Sequence, residues 1–132
     1  MTTPYLEQAR GILKQLSAAH ERLKEALVLP PTQIHKDATI KRLEFTFELA
    51  WKLMAATGRY LGTDIFGPRE SIRAAARYDL ITEPEIWMKL LDARNITVHV
   101  YQELMADDVY EQTKKLPALV ETLLVRVKDR LA

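Results

Sequence analysis

The chain has 132 residues, 48% of them hydrophobic and 28% charged, the composition of an ordinary globular domain and not of a disordered one. It holds no cysteine, which excludes disulfide frameworks, thiolate nucleophiles and cysteine-based metal sites. Nineteen basic residues against eighteen acidic give a formal charge of +1, too little for wholesale coating of nucleic acid but compatible with a local basic patch. No apolar run is long enough to span a membrane and the first residues lack the pattern of a signal peptide, so the expected location is the cytoplasm.

Thr3-Pro4 marks a helix start, threonine as cap and proline at the first helical position. Leu6, Ala9, Leu13, Leu16, His20, Leu23 and Leu27 then alternate three- and four-residue spacings, one buried seam running to about Val28. Pro30-Pro31 ends it. His20, where a leucine is expected, reads as a hydrogen-bonded core or boundary histidine.

A second helix is expected from near Asp37 to Tyr60 or Leu61, with Gly62 just beyond. Ile40, Leu43, Phe47, Ala50, Trp51 and Met54 fall on one side, and Phe45, Leu49, Leu53, Ala56 and Tyr60 form a second apolar stripe. Two stripes need two neighbours, one of which is expected to be a second subunit. Lys41, Glu44, Glu48 and Lys52 lie between them and read as a solvated row of ion pairs and not as a metal site. Trp51 and Trp87 read as packing residues.

Gly67-Pro68 opens a shorter helix carrying Ile72, Ala75 and Ala76. Thr82-Glu-Pro-Glu85 has capping-box spacing and predicts a helix through Ile86, Trp87, Leu90 and Leu91. That helix should weaken at Ile96-Thr97-Val98, three β-branched residues in succession. A last helix from near Asp107 carries Val109, Thr113, Leu116, Val120, Leu123 and Val127 inward and should be bent at Pro117. There is no strand alternation, no repeat and no linker. The expected fold is all-α: one domain over residues 1–132, an up-and-down bundle of about four main helices with short additional ones.

Most reactive constellations are absent. The four glycines are scattered at 11, 58, 62 and 67, so there is no phosphate-binding loop. His99 and Glu103 have ligand-compatible spacing, but two ligands on one helix are a weak metal signal, and no metal or other cofactor is expected. The segment from Asp92 to Glu103 does carry chemistry, packing Arg94, Asn95, His99 and Tyr101 into eight positions. On a continuous helix Arg94 and His99 diverge by roughly 140°. A break near Asn95 to Thr97 would bring them together and put His99 in the first turn of the resumed helix, where the dipole keeps an imidazole neutral. Arg94 offers a permanent planar fork suited to phosphate. Residue types alone equally allow Arg94 to pair with Asp92 or Glu103 and His99 to cap a kink. Arg69, Arg73 and Arg77 repeat every four residues along one face, either a track for an RNA backbone or a row of solvated charges.

Arg94-Asn95, three residues, His99, one residue and Tyr101 resemble the signature of HEPN domains: arginine, four residues, histidine, any residue, tyrosine. The block from Asp37 to Lys52, Pro68-Arg-Glu-Ser-Ile72 and Glu85 to Asn95 are similar to the HEPN branch called nucleotidyltransferase substrate-binding proteins. The likeness spans about residues 5 to 128. Val100 and the plain Ala-Asp-Asp after Met105 depart from it. The resemblance implies a helical bundle that forms a homodimer with both motifs facing one cleft. It further implies a metal-independent ribonuclease toxin, acting on tRNA or mRNA and silenced by a cognate minimal nucleotidyltransferase that transfers AMP to the motif tyrosine. Carried over, Arg94, Asn95 and His99 are the catalytic set and Tyr101 the modification site. The alternative within the same family is a non-catalytic subunit that presents substrate to the nucleotidyltransferase.

Overall fold

A computed structural model describes the backbone of residues 3–99 and 103–132, and the side chains of residues 4–95 and 107–132. Among the described residues there are six helices and no strand: α1 (Thr3–Leu27), α2 (Gln33–Tyr60), α3 (Gly67–Arg77), α4 (Pro84–His99), α5 (Glu103–Thr113) and α6 (Leu116–Leu131). None is long and apolar enough to cross a membrane.

The seam of α1 packs as its spacing requires. Ala9, Leu16 and Leu23 are fully buried, and a five-residue turn at Pro30-Pro31 returns the chain into α2. That helix starts four residues before Asp37 because Thr32 caps it, its hydroxyl accepting the His35 amide at 3.2 Å. At its far end the Gly62 amide donates to Arg59 O at 3.0 Å and the Thr63 amide to Gly58 O at 2.9 Å, with Gly62 at φ 102°. This is the left-handed helix stop that glycine permits. The end of α3 has the same bonding, Asp79 to Ala76 O and Leu80 to Ala75 O, with Asp79 at φ 61° in place of glycine. Arg126 of α6 donates to both the backbone and the carboxylate of Asp79, which ties that turn to the bundle.

The centre of the architecture is α2, which packs against all five other helices. Its two apolar stripes are therefore mostly satisfied within one chain. Leu53 and Ala56 of the second stripe are as buried as Leu43 and Phe47 of the first, Leu49 and Tyr60 lie at the core's edge, and only Phe45, 59% exposed, is left in solvent. The expectation that this stripe faces a second subunit is thus corrected: helices of the same chain cover it everywhere but at Phe45. Against the other side, α1 and α6 run antiparallel, Arg10 reaching Leu131 and His20 reaching Glu121. Trp87 and Phe47 pack at the heart of the core with ring centroids 6.0 Å apart.

Three other expectations shift. The capping box lies one residue out of register: α4 begins at Pro84, and Glu83 O, not a residue at Thr82, accepts the first amides of the helix, from Ile86 and Trp87. The bend at Pro117 is a full break. Lys114 and Lys115 form a turn between α5 and α6, and Pro117 sits in the first turn of α6, where its missing amide costs nothing. Finally, α4 does not break at Asn95 to Thr97. It runs through all three β-branched residues and is described as far as His99.

Candidate functional site

The continuity of α4 sets the geometry of the site. Its first buried row, Trp87, Leu90 and Leu91, anchors it in the core, and Arg94 follows on the edge turned toward α2. There the Arg94 Nη2 donates to Glu48 Oε2 at 2.5 Å, while Nη1 donates to Asn95 Oδ1 at 2.8 Å. Glu48 is the junction of this network. Its Oε2 also accepts the Trp51 indole N–H at 3.0 Å, and the Lys52 ammonium stands 3.6 Å from Oε1. Burial pushes the Glu48 carboxyl up, but the hydrogen bonds from Trp51 and Arg94 and the charges of Arg94 and Lys52 outweigh it and hold the group below its ordinary value. Arg94 is thus placed by a carboxylate that stays ionised at neutral pH.

Arg94 and Glu48 form one end of a cavity of about 610 Å³ that runs along α2 and is flanked by α1. Its lining includes Arg22, Lys41, Arg42, Phe45 and Thr46. The cavity is lined by four cationic side chains against two carboxylates, and Glu44 is paired with Lys41 at 3.4 Å as Glu48 is with Arg94. Arg42 donates to the backbone oxygen of Arg22, which draws two of the cations together at the α1 wall. The ion-pair row expected on α2 is present, with an additional member from α4.

Of the predicted site residues, the structure joins Arg94 to Asn95 and adds Glu48, Trp51 and Lys52, which sequence alone assigns to surface pairs or packing. The signal was there in part: Glu48, Trp51 and Lys52 sit three and four residues apart on one face. Arg94 lies 46 positions away, so no local pattern could link it. Asp92, one of the two acidic partners considered for Arg94, pairs with Arg69 at 3.7 Å, and the side chain of Glu103, the other, lies outside the described residues. Arg69 also lies 3.6 Å from the Met88 sulfur, so α3 packs on the Met88–Asp92 edge of α4. Asp92 and Arg94 point about 160° apart around the helix axis, and Arg69 is not brought to the cavity. Arg73 and Arg77 lie on α3, and both are exposed. Glu70 accepts the Phe66 amide at 3.1 Å and so caps α3.

The side chain of His99 lies outside the described residues, as does the whole of Tyr101. The backbone nevertheless corrects one expectation about His99: α4 is continuous from Pro84 through this residue, so it does not stand in the first turn of a resumed helix. Among the described residues no three His, Asp or Glu side chains converge as a metal site would need. His20, away from this region, is a buried histidine with Nε2 3.4 Å from Glu121, as the seam position implied.

The family described as nucleotidyltransferase substrate binding protein like matches residues 7–129. A Haemophilus influenzae protein named probable ribonuclease HepT is 31% identical over 96 residues, which cover 69% of this chain and 66% of that protein, just under two thirds of its length. A crystal structure of a Thermus thermophilus protein superposes with a TM-score of 0.80 at 32% identity, covering 86% of this chain and 98% of the other. A second structure, from Haemophilus influenzae and described as revealing the fold of a substrate binding domain of a nucleotidyltransferase, gives a TM-score of 0.76 at 27% identity, covering 88% of this chain and 98% of the other. By sequence and by fold, the chain belongs to the nucleotidyltransferase substrate-binding protein-like family, the HEPN branch that its motifs resemble.

Proposed function

We propose that this protein is a metal-independent endoribonuclease that works as a homodimer and is silenced by a partner nucleotidyltransferase. The observation that carries the reading is Arg94, fixed by Glu48 and Asn95 at the end of a cavity whose lining holds three more cations. A pre-positioned guanidinium beside a basic groove is what the charge developing on a phosphodiester requires. The ribonuclease name of the Haemophilus relative supports the same direction.

RNA carries its own nucleophile, so the protein must move protons and stabilise charge. In the proposed reaction one His99 takes the proton of the 2′-hydroxyl, and the 2′-oxygen attacks the adjacent phosphorus. Arg94 braces the phosphorane oxygens as the bond to the 5′-oxygen breaks, and His99 of the partner subunit protonates that leaving oxygen. The products are a 2′,3′-cyclic phosphate and a free 5′-hydroxyl. General acid–base help of this kind is worth about 10²–10⁴-fold. Within one subunit the register of α4 separates positions 94 and 99 by about 140°, so at least one of the two histidines that act beside Arg94 comes from the other copy. Arg73 and Arg77 serve as an outer phosphate track for a longer RNA.

Silencing follows from Tyr101. Its phenolic oxygen attacks the α-phosphorus of ATP on the partner enzyme, pyrophosphate leaves, and the tyrosine carries AMP. Two residues from His99, that group adds bulk and negative charge where the substrate phosphate must sit. The structure described as a nucleotidyltransferase substrate binding domain favours a second reading, in which the cavity holds a phosphate or nucleotide without cleaving it. One experiment separates the two. Total tRNA is incubated without added metal with wild-type protein and with His99→Ala, and a denaturing gel is read. Cleavage by wild type alone supports the ribonuclease; intact tRNA in both lanes favours the presenting subunit, and equal cleavage in both refutes the role given to His99. Intact mass after incubation with the partner and ATP should show added AMP that Tyr101→Phe does not acquire.

A further inference from the structure

We infer that the groove along α2 is a subsite for one unpaired RNA nucleotide, with Phe45 as the stacking platform for its base, Thr46 Oγ1 as a hydrogen-bonding partner, and Arg22 and Lys41 as phosphate ligands. This rests on the reading of RNA as the substrate and adds which part of the RNA is held and by what.

Three independent features of the groove converge on such an occupant. Phe45 is a large aromatic side chain left 59% exposed on the rim of the cavity, one turn from Lys41 and three residues from Glu48. An aromatic face beside cations is the recurrent platform for single-stranded nucleic acid, since every base has a π-face to stack on it. Thr46 is 1% exposed and lines the same cavity, and its hydroxyl has no hydrogen-bond partner among the described residues. A buried hydroxyl without a partner costs free energy unless something reaches it, and a base edge or a 2′-hydroxyl supplies both donors and acceptors. The cations Arg22, Lys41, Arg42 and Arg94 outnumber Glu44 and Glu48, which are themselves ion-paired, so the net field of the groove is positive.

The same charge argues against a second copy of the chain as occupant. A two-fold dimer contact sets a patch against itself, and this one would bring Arg22, Lys41 and Arg42 toward their own equivalents. A polyanion with a flat apolar base fits the groove in both respects. Arg94 at its end makes the nucleotide held here a neighbour of the scissile phosphate, so the groove selects for unpaired RNA at the cut.

The test uses the full chain in a His99→Ala background, so that binding is read without cleavage. The probe is an unstructured, fluorescently labelled hexanucleotide RNA, followed by anisotropy. Phe45→Ala should weaken binding about tenfold, Phe45→Trp should restore it, and the introduced indole should be quenched as RNA is added. Lys41→Gln should lower the slope of log affinity against log salt by about one, whereas Phe45→Ala should leave it unchanged. Affinity within twofold of the parent in Phe45→Ala would overturn the subsite, as would absence of any RNA binding. So would conversion of a dimer to a monomer by Phe45→Ala in light scattering, since the groove would then be covered by another copy. Cleavage by wild-type protein is measured separately. Stacking at Phe45 without cleavage would leave the subsite standing and remove the nuclease; cleavage insensitive to Phe45 would do the reverse.

Discussion

Glu48→Gln tests whether the site is organised as described. The carboxylate takes two donors on Oε2, from Arg94 at 2.5 Å and Trp51 at 3.0 Å, with Lys52 at 3.6 Å from Oε1. The amide has the same shape but no charge, and its NH₂ cannot replace the oxygen it displaces. Hydrogen bonds to a charged group contribute about 1.5–3 kcal/mol each. The Glu48 side chain is 34% exposed and water screens what remains, so the whole change should cost about 1.5 kcal/mol at pH 7. That corresponds to roughly 5 °C in Tm for a chain of this length. The pH dependence gives the decisive sign. Folding lowers the Glu48 pKa from its ordinary 4.5, so the stabilisation is fully present above that value and is lost as pH falls through the folded-state value. Urea unfolding at pH 7 and pH 3 should therefore show a gap between wild type and variant that closes in acid. A double-mutant cycle with Arg94→Met at pH 7 should return a coupling of about 1 kcal/mol. A gap of equal size at both pH values, or additive single mutants, would refute the claim that an ionised Glu48 places Arg94.

Gly58→Ala should destabilise by about 1–3 kcal/mol in urea unfolding, because the new Cβ would lie 2.1 Å from Ile65 Cδ1 in a fully packed corner and Ile65 must leave its place. His20→Leu should raise the urea midpoint or leave it unchanged: the imidazole is 3% exposed, its Nδ1 has no hydrogen-bond partner among the described residues, and its Nε2 reaches only a largely exposed Glu121. A loss above about 1 kcal/mol would show that the His20–Glu121 pair matters more than its geometry indicates. Mixing Arg94→Ala and His99→Ala protomers should yield more RNA cleavage than either variant alone, read on tRNA without added metal. If each subunit held a complete site of its own, the mixture would do no better than its parts.

What the sequence made legible was its punctuation and its seams. Pro30-Pro31, Gly62 and Gly67-Pro68 have backbone preferences that hold in any context, and each bounds a helix where expected. Leu16, Leu23, Leu43, Phe47 and Val120 are buried as their spacing requires. The misses share a different cause. The β-branched run Ile96-Thr97-Val98 carries a propensity cost of only a few tenths of a kcal/mol per residue, too little to end a helix already nucleated by the packing of Trp87, Leu90 and Leu91. The second stripe of α2 suggests a second molecule only while its neighbours are unknown, because the number of helices packed on α2 is a property of the whole fold. Long-range pairing was the other blind spot. Asp92, two positions from Arg94, is the nearest candidate in sequence, while Glu48, 46 positions away, is the carboxylate among the described residues that meets it. Trp51, a packing residue by its spacing, also holds that carboxylate.

The uninterrupted run of α4 changes what its motif can mean. Positions 94 and 99 stand about 140° apart in register, whereas 92 and 99 are separated by two full turns and nearly coincide. The helix therefore has two distinct edges. One carries Arg94 and faces Glu48 and the basic groove of α2; the other begins at Met88 and Asp92, where Arg69 of α3 is attached, and returns at position 99. The residues of the signature fall on both edges, so its fixed spacing cannot describe a pocket built by a single turn of chain. In the proposed reaction it describes a helix with a phosphate-binding side and a proton-transferring side. A small substrate touching one subunit meets only one of them. For both to act on a single phosphodiester in that reaction, the second side must come from elsewhere, and the proposed homodimer would supply it from another copy of the same helix without any new sequence.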